Sequence, residues 1–342
     1  MTRLGEVSSR HGQDALADQL LSLAAFVHTD LETVEQSLAQ IERPATLVGD
    51  SGRHLLGLAG KRLRPLCVAL AARIGNGFTP QALDLAVAVE LVHNATLLHD
   101  DVVDLAMSRR GSVTARAEYG NAASIFAGDW LLVEALRRVH RTGIPGRLES
   151  LLATIEEMIF AESLQLENRG RFDSGRQVYF RVAEGKTAAL FRWAMYSGGL
   201  AGELEEKQCL ALDTFGRHLG IAFQITDDLL DLTGDETETG KSLFTDLQEG
   251  KMTYPLILAV ERDPELRPLL ENIAGRSPED EPDLELCRQV LTALRETGAS
   301  ESCRELASRR AAEAADCLQV LPEGRATRAL SVVAEATVNR TY

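Results

Sequence analysis

The sequence predicts an all-α protein, and three features of the chain indicate this fold class. Apolar residues recur at three- and four-residue spacing along most of the 342 residues. The segments with this spacing are rich in Ala, Leu, Glu and Arg, which favour helices. Alternating apolar and polar runs flanked by hairpin turns are not found in the sequence, so we expect little or no sheet.

The predicted helical segments follow one another with short breaks between them. The first contains Leu16, Leu20, Leu21, Leu23 and Phe26, and the pattern returns in segments 82–89, 131–136, 151–160, 210–219, 255–260, 284–294 and 330–338. Breaks are expected where Gly, Pro and polar residues concentrate, at 75–77, 143–146, 168–170, 198–199, 234–250 and 275–282. We expect a single domain over residues 1–342, with residues 1–14 polar and frayed.

The composition argues against several classes of protein. Lys and Arg number 36 and Asp and Glu 51, a net charge of −15, whereas a general nucleic-acid binder needs a basic face. No run reaches the roughly 18 apolar residues of a membrane span, and we expect no signal peptide. The five cysteines are odd in number and lack C-x-x-C spacing, which favours reduced thiols in a cytoplasmic protein over disulfides or a zinc site.

Two aspartate triplets of the form D-D-x-x-D follow strongly apolar stretches, at 100–104 and 227–231. Since helix residues four apart share a face, Asp100 and Asp104 should point the same way, and the second triplet should behave alike. Carboxylates this close repel each other unless a cation lies between them. The triplets therefore predict a Mg²⁺ site, and the alternative for either one is a solvated acidic helix end. The predicted metal ligands are Asp100, Asp101, Asp104, Asp227, Asp228 and Asp231.

Cations lie near these triplets although the chain is acidic overall. Residues 60–65 contain three cations in four positions, and Arg109 and Arg110 follow the first triplet by one to two turns. Arginine presents a planar fork to phosphate, and lysine presents a compact charge. This pattern predicts a magnesium–phosphate ligand, whereas each cation alone would be read as a solvated surface charge. Further candidates are Lys186, Thr187, Lys241 and Lys251.

Two polar residues share the faces of the triplets. His93 lies seven residues before Asp100, which is two helical turns, and Gln224 lies three residues before the second triplet. We interpret both as site residues, and the alternative for His93 is a satisfied core histidine. Phe223 and Phe126 are interpreted as core residues rather than as aromatic faces that stabilise a cation.

Taken together, these motifs resemble the trans-polyprenyl diphosphate synthases of the long-chain type. The resemblance extends from about residue 45 to the C-terminus and keeps the family's order and spacing. It rests on GKRLRP at 60–65, HNATLLHDDVVD at 93–104, RRG at 109–111, FQITDDLLD at 223–231 and DLQEGK at 246–251. It implies the helical isoprenoid synthase bundle, with a central cavity between two aspartate-rich helices.

The resemblance also implies the roles of individual residues. The first triplet would hold Mg²⁺ on an allylic diphosphate, the second would complete the metal cluster, and Arg109 would contact the allylic diphosphate. Isopentenyl diphosphate would be bound by Lys61, Arg64, His93 and Arg110. The allylic diphosphate would be supported by Lys186, Thr187, Gln224, Lys241 and Lys251. Direct catalytic roles would belong to Asp100, Asp104, Asp227, Asp228, Lys186 and Lys241.

The implied reaction is ionisation of the allylic diphosphate, condensation with isopentenyl diphosphate and proton elimination. Mg²⁺ and cations stabilise the charge on the departing diphosphate, and a water-poor cavity protects the carbocation. The released diphosphate is the expected proton acceptor, so neither a Ser/His/Asp triad nor a P-loop is required.

Three residues upstream of the first triplet bear on product length. Ala95 and Thr96 are small, and Val92 lies one turn deeper on the same helix. In the family, a bulky aromatic at the position of Ala95 or Thr96 stops elongation. We therefore expect a product beyond C20, although Met158 or Phe160 on another helix is a possible deeper wall. The alternative is a shorter C15–C20 product.

Three positions depart from the family pattern. Phe244 replaces the second Gly of Gly-Lys-x-x-Gly-x-Asp, and because Phe lacks the backbone freedom of Gly, we expect a reshaped loop there and an uncertain role for Lys241. Arg116 replaces a usual Asn, and Ala161 replaces a usual Gly before Glu162. None is one of the aspartates, so we expect activity to survive.

The resemblance implies a homodimer, for which the N-terminal helices are a candidate surface. Transient membrane contact by a long apolar product is expected without an anchor, and no nucleic-acid partner is expected. A terpene cyclase on the same bundle is a weaker alternative, because cyclases usually lack a second complete D-D-x-x-D and the GKRxRP set. A non-catalytic partner subunit of a synthase is the alternative from a different class, although all six aspartates are present.

Overall fold

The structure, a computed structural model, describes residues 14–42, 44–58, 60–173, 175–234, 243–275 and 283–340. The regular structure in these residues is almost entirely helical, as predicted. The first described helix begins at Asp14. The rest of the segment predicted to be frayed, residues 1–13, lies outside the described residues.

The chain divides into two compact units. Unit 1 comprises the chain up to Ala153 with Leu190–Gly216 and Cys317–Val332. Its elements are α1 (Asp14–Ala39), α2 (Leu47–Leu56), α3 (Leu63–Ile74), α4 (Pro80–Val103), β1 (Ser108–Arg109), β2 (Ser112–Val113), α5 (Ala115–Tyr119), α6 (Asn121–Arg141) and a 3-10 turn at Leu318–Val320.

Unit 2 comprises Thr154–Ala189, Arg217–Asp316 and the chain from Val333. Its elements are α8 (Arg176–Val182), a π-helical turn (Ala183–Ala188), α11 (Thr245–Gln248), α12 (Tyr254–Arg262), a 3-10 turn (Pro264–Leu266), α13 (Arg267–Ala274), α14 (Leu284–Glu296) and most of α15 (Ala299–Cys317). Four further helices contribute residues to both units: α7 (Arg147–Glu167), α9 (Ala189–Ala201), α10 (Glu206–Thr233) and α16 (Arg325–Val338). The expectation of one domain stays a prediction.

Helix α4 is the central helix of unit 1. Thr79 caps its N-terminus by accepting a hydrogen bond from the Ala82 N–H at 3.2 Å, and Pro80 occupies the first turn, where a missing N–H has no cost. The helix packs mainly against α6 and also against α3 and α1. It is buried on most sides, and this packing fixes the position of the carboxylates at its C-terminal end.

The core of unit 2 forms around the second half of α10. Ile225, Leu229 and Leu232 of α10 pack in one buried cluster with Phe244 and with residues of α12, α14 and α15. The cluster lies directly beside the second aspartate triplet, so packing determines where this triplet stands.

The predicted helical segments all lie within observed helices, but the predicted break at Gly198-Gly199 is wrong. Helix α9 continues through both glycines to Ala201. A Cβ on Gly198 would lie 2.6 Å from the Val68 carbonyl oxygen, and one on Gly199 would lie 2.9 Å from Leu212 Cδ1. These glycines allow helices to pack closely and do not end the helix.

The assignment of Phe126 to the core is also wrong. Its side chain on α6 is 58% exposed. Two other apolar side chains of this helix are also exposed, Ile125 at 39% and Val133 at 44%. Among the described residues, no helix is long and apolar enough to cross a membrane. All five cysteines are described, and none forms a disulfide.

Candidate active site

The first aspartate triplet lies at the C-terminal end of α4. Asp100 and Asp101 are in its last turn, and Asp104 is the C-cap residue, whose N–H donates to the Asp100 carbonyl oxygen at 2.8 Å. Asp100, Asp104 and His93 are partly buried. The helix thus places these predicted residues within two turns of each other with partly accessible side chains.

Asp101 is the buried member of the triplet and is paired with Arg109. Arg109 Nε and Nη2 both lie 2.6 Å from Asp101 Oδ1. Asp101 Oδ2 is buried and has no hydrogen-bond partner among the described residues. Burial raises the pKa of Asp101, and the Arg109 guanidinium opposes that rise. A buried carboxylate oxygen without a partner suits a cation.

The β1–β2 hairpin positions Arg109 and Arg110. Arg109 pairs with Ser112 in its register, which leaves Arg110 and Gly111 at the turn with φ of 53° and 74°. Two successive residues with positive φ form the turn that matches the strand twist, but this conformation is costly for arginine. Arg110 Nη1 is buried and lacks a partner among the described residues. Backbone strain together with an unsatisfied donor is typical of a binding residue.

His93 is surrounded by arginines. Its pKa lies well below the ordinary value because burial disfavours the charged ring and because Arg64, Arg110 and Arg109, in that order, place positive charge near it. Arg64 also stacks over the Phe191 ring, with its guanidinium carbon 4.7 Å from the ring centroid. A neutral histidine among arginines is suited to bind an anion.

Arg62 is an anchor of this cluster that the sequence analysis did not assign. It begins α3 with φ of 49°, and its side chain is 8% exposed. Arg62 Nε donates to Glu35 Oε1 and Nη1 donates to Glu90 Oε1, both at 2.6 Å. Its charge is therefore matched by two carboxylates, whereas its motif neighbours Lys61 and Arg64 are more accessible.

The second triplet lies at the end of α10, and Asp227 is paired with a residue near the C-terminus. Arg340 Nη1 lies 2.8 Å from Asp227 Oδ1, and Arg340 Nη2 donates to the Phe223 carbonyl oxygen at 2.6 Å. The guanidinium carbon lies 3.9 Å from the centroid of the Phe223 ring. Phe223 thus does stabilise a cation, contrary to our core assignment, but that cation is Arg340.

Asp228 is buried and connects three groups of the site. Its Oδ1 accepts from Gln224 Nε2 at 2.8 Å, and its Oδ2 accepts from the Tyr254 N–H at 3.3 Å. Gln224 Oε1 in turn accepts from the Thr187 hydroxyl at 2.7 Å. Burial and the neighbouring Asp246 carboxylate raise the pKa of Asp228 to about 7, against the effect of these hydrogen bonds. Asp228 therefore orients Gln224 and Thr187.

Lys186 and Thr187 lie on the π-helical turn, a departure from α-helix that often marks functional sites. Lys186 Nζ lies 2.5 Å from Glu162 Oε2 and donates to Gln165 Oε1 at 2.8 Å. A Cβ on Gly185 would lie 2.6 Å from the Ala161 Cβ. The departure at Ala161 therefore lies against the turn that presents Lys186, and Gly185 provides the room for it.

A pocket in unit 2 gathers most of the predicted allylic residues. It is lined by Lys186, Thr187, Gln224, Asp228, Asp246 and Lys251, together with Tyr179 and Thr253. Lys251 is 9% exposed, and its Nζ lies 2.5 Å from Glu249 Oε2. The predicted Lys241 lies outside the described residues.

The backbone at Phe244 bears on the expectation of a reshaped loop, of which residues 240–242 lie outside the described residues. Phe244 takes φ of 62° and ψ of 18°, the left-handed conformation that glycine favours. The phenylalanine therefore has a glycine-like backbone at this position, and the reshaped loop stays a prediction. Asp231 of the second triplet contacts this residue, because its carbonyl oxygen accepts a hydrogen bond from the Phe244 N–H at 2.8 Å.

The predicted chain-length residues differ in accessibility. Val92 and Ala95 are fully buried, whereas Thr96 is only partly buried and donates through its hydroxyl to the His93 carbonyl oxygen at 2.9 Å. Of the deeper candidates, Met158 is 8% exposed and Phe160 is 65% exposed. The structure thus leaves Thr96 as the accessible member of the α4 set.

The donor set fits a divalent metal of oxygen preference. Among the described residues, no group of three His, Cys, Asp or Glu side chains already converges as a metal site. Mg²⁺ does not require such a cage, because it is usually bound by one or two carboxylates, phosphate oxygens and water. The buried Oδ2 of Asp101, which has no partner among the described residues, and the accessible carboxylate of Asp227 meet that requirement.

Comparisons with known proteins agree with the family resemblance inferred from the motifs. The polyprenyl synthetase family model matches residues 45–291. The chain is 35% identical over 325 residues to heptaprenyl diphosphate synthase component 2 of Geobacillus stearothermophilus, covering 95% of this chain and 100% of that one. It is 36% identical over 309 residues to octaprenyl diphosphate synthase of Escherichia coli, covering 89% and 93%. The structure of a Caulobacter crescentus polyprenyl synthase, solved with calcium and isoprenyl diphosphate, aligns with a TM-score of 0.87 at 32% identity, covering 94% and 97%.

The fold is therefore the helical isoprenoid synthase fold, as predicted. The chain belongs to the polyprenyl synthetase family, which confirms the resemblance inferred from the motifs. It is a trans-prenyltransferase that forms polyprenyl diphosphates, a class that generally uses a divalent metal.

Proposed function

We propose that this enzyme condenses isopentenyl diphosphate with an allylic diphosphate in the presence of Mg²⁺, and that its product exceeds C20. The observation that carries this proposal is the pairing of carboxylates and cations in each unit. Unit 1 combines Asp101 and Arg109 with the arginines around His93, and unit 2 combines Asp228 with Lys186 and Lys251 in one pocket.

Each residue set has a role that its surroundings support. The isopentenyl diphosphate would bind Lys61, Arg64, His93 and Arg110, and the charges of Arg64 and Arg110 already act on His93. Its allylic partner would bind Arg109, Lys186, Thr187, Gln224, Lys251 and the undescribed Lys241. Bound Mg²⁺ would neutralise diphosphate charge and so favour its departure. The carboxylates in the two triplets would hold the metal, and the departing diphosphate would take the proton.

Within the second triplet the structure favours a division of labour. Asp227 is 44% exposed and presents an accessible carboxylate beside Arg340. Asp228 is 1% exposed, and both of its oxygens already accept hydrogen bonds. We therefore propose metal binding foremost for Asp227, while Asp228 contributes by orienting Gln224 and Thr187.

A product beyond C20 is supported by the α4 face and by the relatives. Thr96 is small and partly accessible, so no bulky side chain closes the helix face one turn from Asp100. Both relatives described above bear the names of long-chain synthases. A C15–C20 product remains the alternative.

A second copy of the chain is the proposed partner, and the apolar face of α1 is already buried. Leu20, Leu23 and Val27 on its apolar face are at most 3% exposed, so this face is already used inside unit 1. Apolar residues are also exposed on α6, where Ile125 and Phe126 lie about two helical turns before Val133. The proposed contact therefore lies on α6. The name "component 2" of one relative supports a second possibility, a separate partner subunit.

We also propose a cytoplasmic location with at most transient membrane contact by the apolar product. The cysteines support this location, because Cys67, Cys209, Cys287 and Cys303 are buried as free thiols.

The test is a product assay with purified protein, Mg²⁺, isopentenyl diphosphate and, in separate reactions, dimethylallyl, geranyl, farnesyl and geranylgeranyl diphosphate. Products are identified by mass spectrometry after dephosphorylation. We expect a ladder that ends beyond C20. A ladder that ends at C15 or C20 would keep the enzyme and overturn the proposed length. Folded protein that gives no product with any primer would favour the partner-subunit alternative.

A further inference from the structure

Phe244 combines a strained backbone with a fully packed side chain. Its φ of 62° is uncommon for a residue with a bulky side chain. Its ring is only 2% exposed and lies in the cluster formed by Ile225, Leu229 and Leu232 of α10. The burial of the ring must offset the free-energy cost of the backbone conformation, so the left-handed conformation depends on the packing of the ring.

The backbone of Phe244 joins the second aspartate triplet to α11. Its N–H donates to the Asp231 carbonyl oxygen at 2.8 Å, and its own carbonyl oxygen accepts from the Gln248 N–H at 3.0 Å. Two residues later the Asp246 N–H lies 3.4 Å from Asp231 Oδ2. Position 244 is therefore the point at which residues 243–251, here named the tether segment, attach to the end of α10.

The rest of the tether segment reaches the pocket. The Lys251 N–H donates to the Asp246 carbonyl oxygen at 2.8 Å, and the Gly250 carbonyl oxygen accepts from the Gly170 N–H at 2.8 Å. Asp246 and Lys251 both line the pocket that contains Lys186 and Asp228. A shift at Phe244 would therefore be transmitted over seven residues to the Lys251 ammonium group.

We infer that Phe244 is a positioning residue: its buried ring fixes the tether segment, and so holds Asp246 and Lys251 at the pocket. This inference rests on the proposed function, because that pocket is where we place the allylic diphosphate. Glycine at this position would allow the same φ without an anchor in the core. Phenylalanine accepts a strained backbone and provides that anchor.

The test compares Phe244→Gly with Phe244→Leu in the full-length protein. Gly relieves the strain and removes the anchor, whereas Leu keeps the strain and most of the apolar contact. For Phe244→Gly we expect the KM for the allylic diphosphate to rise about tenfold, because misplacement of a binding group is costly. The KM for isopentenyl diphosphate should change by less than about threefold. Phe244→Leu should lie close to wild type in both parameters.

Two further measurements separate positioning from packing and do not require turnover. Amide hydrogen exchange at Lys251 should become about tenfold faster in Phe244→Gly, since its partner Asp246 is released. Binding of inorganic pyrophosphate with Mn²⁺, followed by calorimetry, should weaken by about tenfold. Phe215→Leu is the matched control, because Phe215 is fully buried in unit 1 and should lower thermal stability without either effect.

The inference is overturned if Phe244→Gly loses thermal stability but keeps wild-type exchange at Lys251 and wild-type pyrophosphate binding. That result would make the ring a packing residue alone. Failure of the proposed function has a different signature, in which the wild-type protein neither turns over nor binds pyrophosphate. The exchange measurement would still report in that case on whether Phe244 fixes the segment.

Discussion

Asp101 is the member of the first triplet whose charge is most costly to maintain, because it is 1% exposed and only one of its oxygens is paired. If the Asp101–Arg109 ion pair were only structural, we would expect partners for both carboxylate oxygens of Asp101, since a buried oxygen without a partner is destabilising. The geometry is instead suited to a site in which a cation completes the second oxygen.

Asp101→Asn tests this reading. The change keeps the shape of the side chain, removes its charge and leaves Arg109 without its carboxylate. We expect kcat/KM to fall by about 10²–10³-fold, because charge stabilisation at a reacting group has that magnitude. The measurement is steady-state prenyltransfer over a range of Mg²⁺ concentrations.

Asp84→Asn is the matched control, since Asp84 is on the same helix and pairs with Arg138 and Arg141 away from the triplet. It should keep activity within about threefold of wild type. Equal losses in the two variants would show that any broken ion pair on α4 impairs the enzyme.

Arg340 makes a second prediction, concerning stability. Its side chain is 4% exposed and contacts the Asp227 carboxylate, the Phe223 ring and the Phe223 carbonyl oxygen. Arg340→Met should lower the free energy of unfolding by about 1–3 kcal/mol, because it removes charged hydrogen bonds at a buried position. Urea denaturation measures this loss, and Arg328→Met, at an exposed position of α16, should change it by less than about 0.5 kcal/mol.

At the scale of elements, the close approach of α9 to α3 gives a prediction opposite to helix propensity. Alanine favours a helix over glycine by about 1 kcal/mol, so Gly198→Ala would be stabilising in an isolated helix. Here the new Cβ would lie 2.6 Å from the Val68 carbonyl oxygen and 2.9 Å from the Ala71 Cβ. We expect the free energy of unfolding to fall by about 1–3 kcal/mol.

Gly324→Ala provides the comparison for chemical denaturation of Gly198→Ala. A Cβ at Gly324 meets no atom within 4 Å, so this variant should be neutral. A Gly198→Ala protein as stable as wild type would mean that α3 and α9 separate easily and that the close contact has little energetic weight.

The π-helical turn and α7 give a reciprocal prediction. Gly185 provides the space that the Ala161 Cβ occupies, 2.6 Å from the position that a Cβ on Gly185 would take. Gly185→Ala should therefore displace the turn and lower kcat/KM for the allylic diphosphate by about tenfold or more, since Lys186 and Thr187 lie on it.

The double variant Ala161→Gly/Gly185→Ala removes the closest contact and leaves the Glu157 carbonyl oxygen 3.0 Å from the new Cβ. It should recover part of that activity, with a coupling energy of about 0.5–3 kcal/mol in the double-mutant cycle. Strictly additive effects of the two changes would contradict the proposed contact between α7 and the turn.

Elements were predictable to the extent that local patterns determine them. The periodicity placed the helices correctly, and the triplets end α4 and α10 because apolar residues bury the preceding turns. The roles of Arg62 and Arg340 were not predictable in this way. Arg62 meets Glu35 and Glu90, 27 and 28 residues away, and Arg340 meets Phe223 across 117 residues. The spacing of residues in the sequence does not indicate such long-range side-chain contacts.

The break at Gly198 and Gly199 was misjudged for a related reason, and the backbone of Phe244 shows the same effect. Gly198 reads as a helix breaker in a local window, but its function is to allow tertiary packing. Phe244 reads as incompatible with a left-handed backbone, but burial of its ring stabilises that backbone. In both cases tertiary contacts outweigh a local preference.

At the scale of the whole molecule, the chain has a net charge of −15 and yet concentrates arginines around His93. Burial lowers the pKa of that histidine most, and the charges of Arg64, Arg110 and Arg109 lower it further. A chain that is acidic overall and basic around one histidine is consistent with a small polyanionic substrate and opposes binding of nucleic acid.

The quaternary prediction also belongs to this scale. Helix α6 packs against α4 through buried residues such as Leu131, while Ile125 and Phe126, and Val133 about two turns later, are exposed. Exposed apolar side chains at helical spacing indicate a surface that another protein covers, and a two-fold axis would make the same residues face themselves. We therefore expect wild-type protein to elute as a dimer in size-exclusion chromatography with light scattering.

Phe126→Asp should shift that equilibrium to monomer, because a two-fold contact places two new carboxylates near each other in apolar surroundings. Leu21→Asp is the matched control, since Leu21 is 46% exposed on α1, the helix that the sequence analysis favoured. A monomer from Leu21→Asp and a dimer from Phe126→Asp would restore the N-terminal surface. If wild-type protein is a monomer that becomes active only with a second polypeptide, the contact on α6 belongs to a separate subunit instead.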